Sequence, residues 1–177
     1  MKLKNGLECV ICKLEEKDAL AAITYLNEVG GESDFLSFGE NEFKLTVEQE
    51  EQIIRNVRNK KNSLLIGAFI EDRLVAIASI MELSDWNRFQ HRAQLGITVR
   101  KAYWNLGLGR KMIEELLDFA KKNAKLEIIE LEVSTENHVA IALYESFGFA
   151  LVGRYKRNFK IGCQSFDAYL MQLDLNK

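Results

Sequence analysis

The 177-residue chain has no proline, where average usage of roughly 5% would give about nine. That absence excludes collagen-like, proline-rich-linker and mucin-like chains, and leaves the turns to Gly, Asn, Asp and Ser. An excess of one charge is also lacking. Twenty-four Lys and Arg stand against 26 Asp and Glu, for a net charge of −2, so no basic field gathers nucleic acid. No apolar run is longer than Leu64 to Ile70, far short of the ~20 residues a membrane helix needs. Met1-Lys2-Leu3-Lys4-Asn5-Gly6 is followed by no apolar core of the kind a signal peptide carries. Cysteine is sparse, with three residues. Cys9 and Cys12 form a C-x-x-C, but a zinc site wants two more ligands, and a strand over Leu7–Leu14 points residues three apart to opposite faces. The expectation is a cytoplasmic protein with no metal, no nucleic acid and no membrane as partner. With 47% apolar residues, one domain over residues 1–177 is feasible.

What is present reads as alternating short elements. Leu7–Leu14 is a strand. Asp18 caps a helix to about Val29, its apolar face made by Leu20, Ile23, Tyr25 and Leu26, and Gly30-Gly31 stops it. Thr46 and Gln49 form a capping box for a second helix that ends near Lys60-Lys61. Leu64–Ile70 and Leu74–Leu83 make a hairpin over Glu71-Asp72-Arg73, and Arg92–Val99 is a further strand. A helix from Gly107 to about Asn123 carries Met112, Ile113, Leu116, Leu117 and Ala120 on one face. Ile128–Ser134 alternates strictly, Asn137–Ser146 is a short helix, and Ala150–Phe159 with Gln164–Leu173 closes as a hairpin. The strand–helix–strand at 92–134 makes a parallel pair with a right-handed crossover. The fold class is α/β, with a mixed, mostly antiparallel sheet, a central parallel pair and helices on both faces.

The chemistry concentrates where the strand ending at Val99 leads into the helix opening near Gly107. Glycines there admit a ligand close to the backbone, and a helix N-terminus offers unpaired N–H donors and partial positive charge to a phosphate. Met112 stands where a dinucleotide fingerprint needs its third glycine, and no G-x-x-x-x-G-K-[ST] occurs. By itself the turn is either an anion cradle or a turn that packs a helix on a sheet.

Trp104-Asn105-Leu106-Gly107-Leu108-Gly109 resembles the coenzyme A-binding motif, [Arg/Gln]-x-x-Gly-x-[Gly/Ala], of the GNAT (GCN5-related N-acetyltransferase) superfamily. Asn137, Ala140, Leu143, Tyr144, Gly148 and Phe149 match every fixed position of its later motif, Asn-x-x-Ala-x-x-Leu-Tyr-x-x-x-Gly-Phe. The chain departs from the family with Trp104 in the Arg/Gln position. Lys101 stands where a Val-x-Pro-x-Tyr run often has proline, which removes a fixed φ and adds a cation directed to solvent or to a 3′-phosphate.

The resemblance implies an N-acetyltransferase that moves the acetyl group of acetyl-CoA directly to a primary amine, small molecule or protein N-terminus, in a ternary complex. It implies that the parallel strands splay at their C-terminal ends and admit pantetheine between them. Backbone groups of Ile97 and Val99 would pair with pantetheine and polarise the thioester carbonyl. Residues Trp104, Asn105, Leu106, Gly107, Leu108, Gly109 and Arg110 would hold the pyrophosphate, and Asn137 would hold coenzyme A or cap its helix. Tyr144 would give the leaving thiolate a proton. Gln94 stands where many relatives have a glutamate base, so the base must come from elsewhere or from ordered water. Glu82 is the candidate taken, with Glu130 and Glu132 as sheet-face carboxylates. Glu32, Asp34 and Phe35, between the first two helices, would bind the amine, and Trp86 and Phe89 would line the same cleft. The partners implied are acetyl-CoA and an amine acceptor, with a homodimer allowed. A non-catalytic, CoA-binding regulatory module on the same fold is the other class of reading.

Overall fold

A computed structural model describes residues 1–84, 86–123 and 125–176. Seven strands form one sheet in the order β1-β2-β3-β4-β5-β7-β6. They are β1 (Val10–Lys13), β2 (Leu64–Ile70), β3 (Arg73–Glu82), β4 (Arg92–Val99), β5 (Ile128–Ser134), β6 (Ala150–Ile161) and β7 (Gln164–Asp174). The helices are α1 (Ala19–Val29), α2 (Val47–Asn59), α3 (Leu108–Lys122) and α4 (His138–Glu145). Every strand pair is antiparallel except β4 with β5.

Turn chemistry sets the hairpins. Ile70 pairs with Arg73, so Glu71 and Asp72 alone turn, both at positive φ as the twist of a two-residue hairpin demands. Gly162 (φ 57°) does the same for β6 and β7, where Ile161 pairs with Gln164. The turn is therefore tighter than the four-residue loop Lys160–Cys163 read from the sequence. β1 is shorter than expected, beginning at Val10. Thr46 and Gln49 make the capping box reciprocally, at 3.3 and 2.8 Å. Asp18 does not cap α1. Its Oδ2 accepts instead from the Glu15 N–H at 2.9 Å, closing a 3-10 turn before the helix.

Two apolar layers sandwich the sheet. Leu108, Met112, Ile113, Leu116, Leu117 and Ala120 of α3 pack on Ile66, Ala78, Ile80, Ala93, Leu95, Ile129 and Leu131. Each fully buried side chain of this size contributes roughly 1.5–3 kcal/mol. On the other face α1 buries Ala22, Tyr25 and Val29 against Leu14 and Leu74. Leu20 lies outside that stripe, 62% exposed, because it is one residue, about 100°, round the helix from Ala19.

The segment after α1 turns back sharply. Gly30 lies so close to the Gly39 carbonyl that a Cβ there would sit 2.2 Å from its oxygen. The Asn27 side chain holds Phe43 through both its N–H and C=O, at 3.0 and 3.2 Å, and Phe38 stacks edge-on against Phe43. We expect Gly30→Ala to push the two backbones apart and lower stability by about 1–3 kcal/mol in a denaturant titration. An unchanged midpoint would show that the approach is not tight in solution.

Candidate active site

The site begins with a sheet that stops pairing. β4 and β5 share only three residue pairs, Arg92 with Ile128, Ala93 with Ile129 and Gln94 with Glu130, and then diverge to Val99 and Ser134. The Leu83 N–H donates to the Arg92 carbonyl, and the Arg100 N–H to the Val75 carbonyl. Even-numbered residues of β4 therefore turn their backbone to β3, and the Leu95 carbonyl with the backbone of Ile97 and Val99 turns into the gap. On β5 the Thr135 N–H donates to Asp167, so Glu132 and Ser134 turn their backbone groups to the same gap from the other side.

A compact turn closes the gap at the end of β4. Residues Lys101–Tyr103 form a 3-10 turn, Asn105 and Gly107 adopt positive φ (61° and 88°), and α3 starts directly after. The first intrahelical bond runs from Lys111 N–H to Gly107 C=O, leaving the N–H groups of Leu108, Gly109 and Arg110 as donors at the positive end of the helix. A Cβ on Gly109 would touch Leu143 and Ile97, at 3.8 and 4.0 Å, so the turn, the gap strand and α4 meet there. This donor set fits a pyrophosphate. The Arg110 guanidinium is not aimed into it. It donates to Ser146 Oγ at 2.9 Å and lies over Phe147. Leu108 is buried in the α3 core, and the Leu106 carbonyl accepts from Lys4. The Trp104 indole N–H donates to the Val99 carbonyl at 2.7 Å, which accounts physically for an aromatic ring in that place.

Asn137 caps α4, its Oδ1 accepting from Ala140 N–H at 3.1 Å. Two turns on, Tyr144 is 7% exposed and meets Phe149 edge-on. Its hydroxyl has no hydrogen-bond partner among the described residues, and no buried side-chain N or O in them is left unpartnered, so the oxygen reaches an accessible surface. Burial pushes its pKa up to about 12, which keeps the proton on the oxygen through the neutral range.

A cavity of about 560 Å³ opens beside the turn. Gly31–Phe35 wall one side, Lys101 and Trp104 a second, and Ser134, Glu136, Gln164 and Phe166 the third. It thus brings Glu32, Asp34 and Phe35 to Trp104. Glu32 is already engaged, with Oε2 accepting from Lys101 N–H at 2.5 Å and Oε1 3.5 Å from Arg100. The positions beyond a strand's carboxyl end are where ligands gather in such sheets, a signal that would have found Ser134 and Glu136. No local signal marks Gln164 and Phe166. Trp86 is 79% exposed and, with Phe89, is not among the residues lining the cavity.

The carboxylates separate by neighbourhood. Glu82 sits opposite Ala93, four residues and roughly 13 Å down β4 from Ile97. It is ion-paired with Lys60 at 2.7 Å, in a separate cavity of about 200 Å³. Glu130 is held by Arg92 and by Gln172. Glu132 lies past the last β4–β5 pair, exposed, with one hydrogen bond from Asn158 at 3.1 Å. Among the described residues no cluster of His, Cys, Asp or Glu is arranged to hold a metal ion, and no helix is long and apolar enough to cross a membrane.

Comparison with known proteins agrees with this geometry. The Acetyltransferase (GNAT) family model matches residues 32–149, and the chain belongs to that family. It is 38% identical over 109 residues to the N-alpha-acetyltransferase RimI of Mycobacterium tuberculosis, covering 62% of this chain and 65% of that protein. It is 40% identical over 118 residues to an uncharacterised protein of Mycobacterium leprae, covering 67% of this chain but 31% of the relative. The chain thus spans less than two thirds of these curated relatives. A GNAT-family acetyltransferase from Streptococcus pneumoniae superposes with a TM-score of 0.90 at 32% identity, covering 94% of this chain and 99% of that one.

Burial of Tyr144 has a consequence at high pH. The unfolded phenol ionises near pH 10, the folded one near 12. The stabilisation is complete below about pH 10 and is lost as pH rises through about 12, because the unfolded state releases its proton first. Urea midpoints should fall over that window and fall less in Tyr144→Phe; identical pH dependence in the two proteins would remove Tyr144 as a cause.

Proposed function

We propose that the chain is an acetyl-CoA-dependent N-acetyltransferase acting by direct transfer in a ternary complex, with the α-amine of a peptide N-terminus as acceptor. One observation carries the reading: the β4–β5 ladder stops after three pairs and leaves a gap whose mouth is an acidic and aromatic cavity. The likeness to RimI, named as an N-alpha-acetyltransferase, supports the acceptor class. A solved neighbour from Salmonella typhimurium described with its cofactor acetyl-CoA has the same fold, at a TM-score of 0.81 and 17% identity.

Acetyl-CoA, when bound, supplies a thioester whose sulfur is a good leaving group. The chain's own residues do the rest. N–H groups of Leu108, Gly109 and Arg110 hold the pyrophosphate, and the backbone of Ile97 and Val99 orients the pantetheine arm. An N–H in the gap stabilises negative charge on the carbonyl oxygen. Asp34 and Glu136 attract the acceptor's ammonium, and Phe35 and Phe166 cover its carbon chain. Glu132, directly or through a water, takes a proton from the amine nitrogen. Of the strand carboxylates Glu82, Glu130 and Glu132 it alone combines exposure with a place beyond the last β4–β5 pair, whereas Glu82 is held by Lys60 at the other end of β4. Tyr144 Oη gives a proton to the departing sulfur.

A thiol-release assay with acetyl-CoA, tripeptide amides bearing a free α-amine, and spermidine tests the reading. Tyr144→Phe should slow kcat by about 10²-fold or more with little change in the acetyl-CoA KM. Glu132→Gln should lower kcat by about 10²-fold with little change in the acetyl-CoA KM. Saturable coenzyme A binding with no thiol release for any amine would mark a regulatory module instead. Gly107→Val, placing a branched side chain at φ 88°, costs about 1–2 kcal/mol of backbone strain. It should weaken acetyl-CoA binding by about tenfold in calorimetry; unchanged affinity would sever the turn from the cofactor.

A further inference from the structure

Glu32 lies between two parts of the site and is joined to both. Its backbone belongs to the segment Gly31–Phe35 that walls the cavity. Its Oε2 accepts from the N–H of Lys101, the first residue of the turn that leads to the pyrophosphate donors. Its Oε1 faces the Arg100 guanidinium, and that guanidinium is fixed. Arg100 is 6% exposed, pairs with Glu28 at 2.5 Å, donates to the Leu74 carbonyl at 3.2 Å and lies over the Tyr25 ring. A carboxylate with both oxygens engaged is a poor receiver for a substrate ammonium. Asp34 and Glu136, on the same cavity, carry no such side-chain partner among the described residues.

The donor is as specific as the acceptor. A proline at position 101 has no N–H and could not make this bond. The backbone would otherwise accept one, since Arg100 is extended (φ −54°, ψ 138°) and position 101 begins a helical turn. The bond therefore exists because residue 101 is not proline.

We propose that Glu32 is a positioning residue that couples the acceptor segment to the cofactor turn, rather than a direct ligand of the amine. The proposal rests on the turn being the acetyl-CoA site. Binding at the turn then steadies Gly31–Phe35 through Glu32 before any amine arrives.

Hydrogen–deuterium exchange of the full chain, with and without acetyl-CoA, tests this without an acceptor. Glu32→Gln keeps a carbonyl oxygen for the Lys101 N–H, and Lys101→Ala keeps the N–H, whereas Glu32→Ala and Lys101→Pro each remove one half of the bond. Acetyl-CoA should slow exchange across residues 31–35 by about fivefold in wild type, Glu32→Gln and Lys101→Ala. It should not do so in Glu32→Ala or Lys101→Pro, although calorimetry finds acetyl-CoA bound to both. Slowing that persists in either disrupted variant overturns the coupling, as does bound acetyl-CoA with no slowing in wild type. A wild-type chain that does not bind acetyl-CoA at all overturns the functional reading itself. If Glu32→Ala fails to fold by circular dichroism, Lys101→Pro against Lys101→Ala carries the comparison.

Discussion

A backbone N–H or C=O taken from water must find a partner, and the β4–β5 ladder stops supplying them after Gln94 and Glu130. Most of the site follows from that interruption. Past that point the Leu95 carbonyl and the backbone of Ile97 face that of Glu132 with no sheet pair between them, while the Val99 carbonyl takes the Trp104 indole N–H and the Ser134 carbonyl takes the Asn137 N–H. A sheet can tolerate such a gap only if its neighbours are rigid. Here β3 pairs with β4 over seven residues and β7 with β5 over seven, while α3 fills the face behind. The gap is thus braced on both flanks. An extended ligand with amide groups fits such a space by completing the ladder.

The charges around the gap are arranged with the same economy. A buried guanidinium is expensive unless its donors are met, and Arg100 meets two carboxylates, a carbonyl and an aromatic face. Both carboxylates come from α1 or the residues just after it, so the cation also fixes that helix to the end of β4. Tyr25, on the same helix, donates to Thr98 at 2.9 Å, repeating the link two residues earlier in the chain.

Local features of this chain were legible in its residues, and features assembled from afar were not. Strict alternation in Ile128–Ser134, the apolar stripe of α3 and the Thr46–Gln49 capping box are each written within a few neighbouring positions. So is the glycine turn, whose donors need only a strand end and a helix start. The cavity is different. It joins Phe35, Lys101 and Phe166, which no spacing rule connects. Arg100 reads as one more surface cation until the sheet buries it. Glu32 shows the same limit, because a carboxylate near a binding segment looks available until its partners are known. Glu82 was attractive for standing on a strand beside β4, yet position along the strand matters as much as which strand, and Lys60 lies against it. Leu20 stands one residue out of phase with the buried stripe of α1, and Asp18 closes a 3-10 turn instead of capping that helix.

The last strand of the sheet bears on what the molecule avoids. β6, the longest strand, has no strand beside its outer edge among the described residues, two register shifts interrupt it, and most of its residues are exposed. A bare edge of that length is a template for another chain. Lys156, Arg157 and Lys160 add cations along it, with Arg154 paired to Asp167, and charged side chains blunt an edge as a template. The same irregularity that spoils the ladder also keeps the template from matching a copy of itself. Broken register and charge together make this margin a poor template for further strand pairing.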